Sequence, residues 1–141
     1  MVSERVIAKE WVERQVRFIV REDDIVEYHI APNTHITLED QIAITGSLIR
    51  ELGSVKRYAM IMDTGEFATA DPEATRYGRS QEEVSPLIAV GNISRNLAQR
   101  LVANFYFTVL KPSMPYRMFS NMEDAEAWCL EMLEAQRKKN S

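Results

Sequence analysis

The sequence predicts a single α/β domain in which an antiparallel hairpin joins a parallel sheet with helices packed on it. Two short segments, 16–20 and 26–30, alternate apolar and polar residues, which is the pattern of strands with one buried face. Farther along, an apolar strand at 87–90 leads into a helical segment at 96–110 and a second strand at 116–119. Strand, helix and strand in this order form a βαβ unit, whose strands run parallel.

Length and charge agree with one globular domain. A chain of 141 residues buries roughly two-thirds of its unfolded surface on folding. Its 17 basic and 21 acidic residues leave a formal net charge of -4. Because phosphate contacts need a clustered basic face, we do not expect a nucleic-acid-binding protein.

The cysteine content and the lengths of the apolar segments indicate in which cellular compartment the protein is expected. The single cysteine, Cys129, cannot form an intramolecular disulfide, which favours a reducing environment. The first residues lack the apolar core of a signal peptide, and no apolar run reaches the roughly 20 residues that cross a bilayer. We therefore expect a cytoplasmic protein without a transmembrane segment.

Three parts of the chain can be distinguished. Residues 1–13 are predicted to be either a frayed arm or a short helix, with Trp11 among its apolar residues. Residues 14–136 are predicted to form the domain, in the order β-β-α-β-α-β-α-β-α. Residues 137–141 form a basic tail.

The helix boundaries follow from capping residues. Thr37 and Asp40 resemble a capping box, and Gly53 stands where a left-handed C-terminal cap is expected. The next helix begins at Asp71 with Pro72 at its first position, but it has few apolar residues, so we expect it to be thin and exposed. The apolar stripe predicted for the first helix comprises Leu38, Ile42, Thr45, Ile49 and Leu52.

The segment 96–110 carries more apolar surface than one core-facing stripe requires. Ser94 is predicted as its cap, and a rival interpretation makes residues 105–110 a strand, because aromatic and β-branched residues favour strands. The surplus predicts burial within the domain, a dimer interface, a partner-binding patch or an apolar pocket. The surplus residues are Ala103, Tyr106, Phe107 and Leu110. Ser120 and Glu123 are predicted to cap the last helix.

Several segments are shared with a known family. They are residues 92–107, the prolines and strand that follow at 111–120, the segment 125–128 of the last helix, and residues 24–39. Over about residues 14–135 the chain resembles the SpoIIAA-like family, the bacterial STAS/SEC14-type domains. The shared motifs are structural more than chemical, so the resemblance implies a fold before it implies a function.

Two branches of that wider group suggest roles. Anti-sigma-factor antagonists bind a kinase and are switched by phosphorylation of a serine, and the resemblance matches Asp63, Phe67 and Asp71 to positions of their motif. Pro72 stands at the phosphoacceptor position, so the usual switch is absent, and nothing marks the nearby Thr64 or Thr69 as its substitute. The SEC14-like branch holds lipids in a pocket between helices and sheet.

Candidate binding residues collect where the predicted parallel strands end. Ligands of open α/β sheets bind at this edge, and three predicted helix N-termini point to it. The alternative is that Asp71 and Ser94 only cap their helices, and the acidic edge argues against phosphate. The candidate binding residues are Asp63, Thr64, Asp71, Asn92, Ser94 and Arg95.

Catalytic and metal motifs give little support for an enzyme. His29 and His35, taken with Asp23 and Asp24, match no ligand spacing, and we expect a strand-exposed His29 and a loop His35. Cys129 is predicted to be a small buried residue. We find no phosphate loop or catalytic triad order, and we expect no metal or cofactor.

These observations predict a non-enzymatic, STAS-type protein-interaction and regulatory module that forms a homodimer. The alternative is a carrier of a small apolar ligand or lipid, of SEC14-like type. Phe107 distinguishes the two, because it would be exposed at a subunit contact in the first case and would line a cavity in the second.

Overall fold

The computed structural model describes residues 6–53, 56–109 and 111–139, except for several side chains of one helix. Those side chains are Val102, Ala103, Phe105, Tyr106, Phe107 and Val109. The strands are β1 (Ile7–Glu13), β2 (Val16–Arg21), β3 (Ile25–Ile30), β4 (His35–Ile36), β5 (Tyr58–Thr64), β6 (Thr69–Ala70), β7 (Leu87–Ile93) and β8 (Tyr116–Phe119). The helices are α1 (Leu38–Leu52), α2 (Pro72–Glu83), α3 (Leu97–Val109) and α4 (Met122–Lys139).

Six strands form one mixed sheet in the order β1-β2-β3-β5-β7-β8. The first three strands pair antiparallel, and β3, β5, β7 and β8 pair parallel. A separate pair of short parallel strands, β4 and β6, lies beside this sheet. The predicted hairpin joined to a parallel βαβ sheet is confirmed.

The N-terminal segment differs from its prediction, because residues 7–13 are neither a frayed arm nor a helix. They form β1, an edge strand joined to β2 by a two-residue turn in which Arg14 and Gln15 both have positive φ. Trp11 stacks on Phe18 of β2 and donates a hydrogen bond from Nε1 to Oγ of Ser47 in α1, at 3.0 Å. These contacts between distant segments decide the conformation, and local periodicity could not reveal them.

Helix α1 begins and ends as predicted. The Thr37 hydroxyl accepts from the Asp40 backbone, the Asp40 side chain accepts from the Thr37 backbone, and Gly53 caps the other end with φ of 75°. The predicted stripe is partly wrong, since Ile42 and Ile49 are 46% and 54% exposed. The fully buried residues are Ile44, Thr45 and Ser47, of which Thr45 belongs to the predicted stripe.

The caps of the last two helices are corrected. Asn96, and not Ser94, accepts a hydrogen bond from the Gln99 backbone at the start of α3. At the start of α4, Asn121 accepts from the Asp124 backbone, so Ser120 is not the capping residue. Asparagine and serine are comparable caps, and the backbone position selects between neighbours. The backbone of 97–109 is helical, which excludes the rival strand.

Each face of the sheet carries its own core. Val26, Tyr28 and Met60 belong to the core on the side of α1 and α2. Ile25 and Ile61 point the other way, where α4 covers them with Trp128 and Cys129. Strand β5 is buried on both faces. Cys129 is buried, as predicted, and this burial raises the pKa of its thiol to about 12.

Helix α4 extends farther than predicted. It continues through Lys139, so the residues assigned to a basic tail form its last turn up to that point. Arg137 in this turn pairs with Asp24 in the loop before β3, at 3.0 Å. Among the helices of the described residues, none combines the length and apolar content needed to cross a bilayer.

Candidate functional site

A cavity of about 680 Å³ lies between the sheet and the helices α1 and α2, with the first turn of α3 at its border. Along β5 its lining extends from Tyr58 to Thr64. Because a strand rises about 3.3 Å per residue, the lining follows the sheet for about 20 Å. The cavity is therefore elongated, and most of the lining surface is apolar.

The cavity exists because α2 supplies little apolar bulk. Of its residues only Ala74 is fully buried, and Gly78 faces Gln41 of α1 without a side chain of its own. The sheet contributes larger side chains from below, among them Met60 and Met62. A helix with small residues on its inner face leaves space above such a sheet.

Apolar side chains that border the cavity also reach solvent. Ile49 of α1 is 54% exposed, Phe67 in the β5–β6 loop is 75% exposed, and Val84 after α2 is 81% exposed. Ile49 was predicted to be buried in the apolar stripe of α1. It is exposed because it borders the cavity. An apolar ligand entering here would cover these side chains.

Among the described lining residues, Glu82 is the one acid and Arg79 the one base. The Oε2 atom of Glu82 is buried and has no hydrogen-bond partner in the described residues. Burial raises the pKa of Glu82 to about 7, against the smaller opposing effect of Arg79. Arg79 itself donates to the carbonyl oxygen of Lys111 and lies 3.6 Å from the carboxylate of Glu83.

Two buried tyrosines lie near Glu82. Burial, with a smaller contribution from the charge of Glu82, raises the pKa of both Tyr28 and Tyr58 to about 12. Their hydroxyls are bonded to Gln41 and Ser85 respectively. This part of the cavity therefore combines aromatic rings with one carboxylate.

The candidate binding residues separate into different environments. Thr64 and Asn92 line the cavity, and the Thr64 carbonyl accepts from the Gln99 side chain. Ser94 is buried, with its hydroxyl 3.7 Å from the Met118 sulfur.

Asp71 begins α2 without a side-chain capping bond and instead contacts His35 Nε2 at 2.9 Å. Its position before Pro72 was predicted correctly, but its side chain bonds to the short β4–β6 pair.

Asp63 and Arg95 do meet, and they belong to a row of charged groups on the opposite face of the sheet. Arg95 binds both carboxylate oxygens of Asp63, at 3.1 and 2.7 Å. His29 lies between Asp63 and Glu27, with its Nε2 atom 2.8 Å from Glu27 and its Nδ1 atom 3.4 Å from Asp63. Glu27 in turn contacts Arg21 at 3.4 Å.

The charges of this row stabilise one another. The contacts with Asp63 and Glu27 raise the pKa of His29 to about 9. The contacts with His29 and Arg95 lower the pKa of Asp63 to about 2, although burial opposes this effect. The expectation of a strand-exposed His29 is thus corrected: its side chain is 28% exposed and is held between two carboxylates. The row is compensated, which is typical of a structural ion-pair network.

Sequence reasoning missed the buried charges Arg21, Glu27 and Glu82. Arg21 and Glu27 lie on the polar side of the alternating hairpin, and both side chains are fully buried because α4 covers that side. For Glu82 the sequence did hold a signal, namely the scarcity of apolar residues in α2. The predicted surplus stripe cannot be compared, because Leu110 and the side chains of Ala103, Tyr106 and Phe107 lie outside the described residues.

Comparison with known proteins gives a family match and a structural match. A family model described as a domain of unknown function (DUF7793) matches residues 18–133. A solved structure of an uncharacterized DUF3478 protein from Shewanella loihica PV-4, described as having a SpoIIAA-like fold, is similar with a TM-score of 0.56. It is 14% identical and covers 92% of this chain and 98% of its own. No curated protein matched the sequence. The predicted SpoIIAA-like fold is thereby confirmed.

Proposed function

We propose that this chain, which belongs to the DUF7793 family of domains of unknown function, binds an elongated apolar small molecule in the cavity beneath α1 and α2. In this proposal the protein carries or presents its ligand and does not convert it. The alternative predicted from the sequence, a ligand carrier, thus takes precedence over the protein-interaction module.

One observation supports the proposal, which is the size and character of the cavity. Its volume of about 680 Å³ falls within the range of roughly 300–1,000 Å³ that is typical of small-molecule sites. Most of its lining surface is apolar, and polar side chains such as Gln41, Gln81 and Asn92 are placed to orient a ligand. A cavity of this size left empty would forfeit the packing contacts of its lining, so an occupant stabilises the fold.

The first experiment is native mass spectrometry of freshly purified protein, followed by denaturation of the same sample. Under the proposal a reproducible additional mass is present in the native spectrum and is lost on denaturation. If the purified protein is empty, titration with the neutral apolar dye N-phenylnaphthylamine should give saturable fluorescence at one dye per chain.

Two variants of α1 connect that binding to the cavity. Leu48 lines the cavity, and Leu48→Trp should fill part of it and weaken dye binding by about tenfold or more. Ile42 is on the same helix but is exposed and outside the lining, so Ile42→Trp should bind like the parent. Equal binding by both variants, each folded by circular dichroism, would contradict the proposal.

A second candidate function is a protein contact through α3, including the predicted homodimer. Leu97 and Leu101 lie one helical turn apart and are 69% and 59% exposed. Neighbouring exposed apolar side chains favour a contact surface. If this candidate is correct, the chain is a dimer by sedimentation equilibrium and Leu101→Asp makes it a monomer. The corresponding role of Phe107 stays a prediction.

A further inference from the structure

We infer that the cavity takes a hydrophobic amine, whose ammonium group pairs with Glu82 while its apolar body lies along the sheet. This inference rests on the proposed function, since it assigns the chemical class of the ligand that the cavity binds. It concerns the one acidic group among the described lining residues.

The position of Glu82 is the first argument. Its Oε2 atom is buried and lacks a hydrogen-bond partner in the part of the chain that the structure describes. A carboxylate removed from water is strongly destabilising unless a donor or a positive charge compensates it. An ammonium group provides both, because it carries a positive charge and three N–H donors.

The surroundings of Glu82 are the second argument. Tyr28 and Tyr58 line the cavity and lie close enough to Glu82 for its charge to act on their hydroxyls. Those hydroxyls are bonded to Gln41 and Ser85, and neither supplies the missing partner of the Glu82 Oε2 atom. A cationic group of a ligand would compensate this carboxylate, whereas a neutral apolar group would not.

Arg79 is the one basic group among the described lining residues, so an acidic ligand would have to bind there. Its guanidinium group donates to the Lys111 carbonyl oxygen and lies beside Glu83, although its Nε atom is buried without a hydrogen-bond partner in the described residues. A ligand carboxylate in this part of the cavity would bring a second negative charge close to Glu82. A hydroxyl ligand would form a hydrogen bond with Glu82 but would leave the charge uncompensated.

The test compares three ligands that share one chain and differ in the end group: decylamine, decanol and decanoate. Each competes with N-phenylnaphthylamine for the full-length protein at pH 8, below the concentration at which it forms micelles. We expect decylamine to bind at least about tenfold more tightly than decanol, and decanoate to bind weakest.

Two glutamates of α2, Glu82 and Glu73, provide the variant and its control. Glu82→Gln should remove the preference for decylamine over decanol while decanol still binds, which shows that the cavity remains intact. Glu73→Gln, on the same helix but exposed and outside the cavity lining, should keep the preference. A folded Glu82→Gln variant that retains the preference would overturn the inference.

The outcomes separate the inference from the function on which it rests. If the dye itself does not bind, the proposed function fails. If the dye binds but none of the three ligands displaces it, the assignment to amines is wrong while the apolar cavity stands. If decanol or decanoate binds as tightly as decylamine, the cavity binds apolar molecules but the assignment to amines is wrong.

Discussion

At the scale of single residues, contacts with two carboxylates determine the charge of His29. Its two ring nitrogens face Glu27 and Asp63, so both carboxylates favour the imidazolium form. The raised pKa means that the folded state holds the proton more tightly than the unfolded chain. The resulting stabilisation is fully present below about pH 6.5 and is lost as the pH rises through about 9.

We predict that Asp63→Asn lowers the pKa of His29 from about 9 towards 6.5, because Asp63 is the largest of the influences that raise it. Glu27 remains, so the pKa should stay above 6.5. The measurement is an NMR titration of the histidine ring protons.

Asp71→Asn is the matched control for this titration. It removes the carboxylate that contacts His35 and should leave the titration of His29 unchanged. A His29 pKa that stays near 9 in Asp63→Asn would show that this carboxylate does not hold the proton.

Single residues were the level at which sequence reasoning was weakest. Asp63 and Arg95 were placed at the same sheet edge, and they do meet. Arg21 and Glu27 could not be recognised as buried, because a strand's alternation marks its polar face but not whether a helix covers it. Helix α4 covers this face. Its residue Glu126, which contacts Arg21, lies 105 positions after Arg21 in the sequence.

At the scale of elements, two glycines show how local conformation and packing compete. Gly46 lies within α1 with nothing within 4 Å of the position where a Cβ would stand. Gly65 follows β5, where a Cβ would be 2.5 Å from the Ile30 carbonyl oxygen and 2.5 Å from the Pro32 nitrogen. The same substitution should therefore have opposite effects at the two positions.

We predict that Gly46→Ala increases the free energy of unfolding by about 1 kcal/mol, because alanine is the better helix former. Gly65→Ala should decrease it by about 2–3 kcal/mol, since the methyl group would collide with backbone atoms that cannot move aside. Urea denaturation of both variants measures these changes. If Gly65→Ala leaves the free energy of unfolding unchanged, the backbone of the loop after β5 can shift to accommodate the methyl group, contrary to the prediction.

Elements were predicted well where local signals define them. Three helix ends were predicted correctly, from the Thr37 capping box, Gly53 and Pro72. The predicted capping residue was wrong where two suitable residues are close together in the sequence, as Ser94 and Asn96 are. Strand β1 was missed because it is stabilised by β2 and α1 and not by its own pattern.

At the scale of the whole molecule, the cavity reflects a balance between stability and binding. A fold optimised for stability alone would fill the space above β5 and would not place a carboxylate there. The thin face of α2 was visible in the sequence, but the volume it leaves depends on how α1, α2 and the sheet come together. The sequence therefore allowed an apolar pocket to be predicted as one alternative, but it did not allow the position of that pocket to be predicted.

The buried carboxylate should make the stability of the empty protein fall as the pH rises. Because burial raises the pKa of Glu82 from 4.5 to about 7, the folded state binds its proton more tightly than the unfolded chain. Stability from this group is thus complete below about pH 4.5 and is lost as the pH rises through about 7. The full difference is about 3 kcal/mol, since each pKa unit corresponds to about 1.4 kcal/mol.

We predict that Glu82→Gln raises the free energy of unfolding by about 1–3 kcal/mol at pH 8 and has a much smaller effect at pH 4.5, where Glu82 is protonated in the folded state. Urea denaturation of ligand-free protein at the two pH values measures the difference between variant and parent, so that other titrating groups, including His29, cancel. Exposed Glu73 at the start of α2 provides the control, and Glu73→Gln should show no comparable pH dependence. If Glu82→Gln is equally stable at both pH values relative to the parent, Glu82 ionises as freely as a glutamate in water. The cavity would then hold no uncompensated charge for a ligand to neutralise.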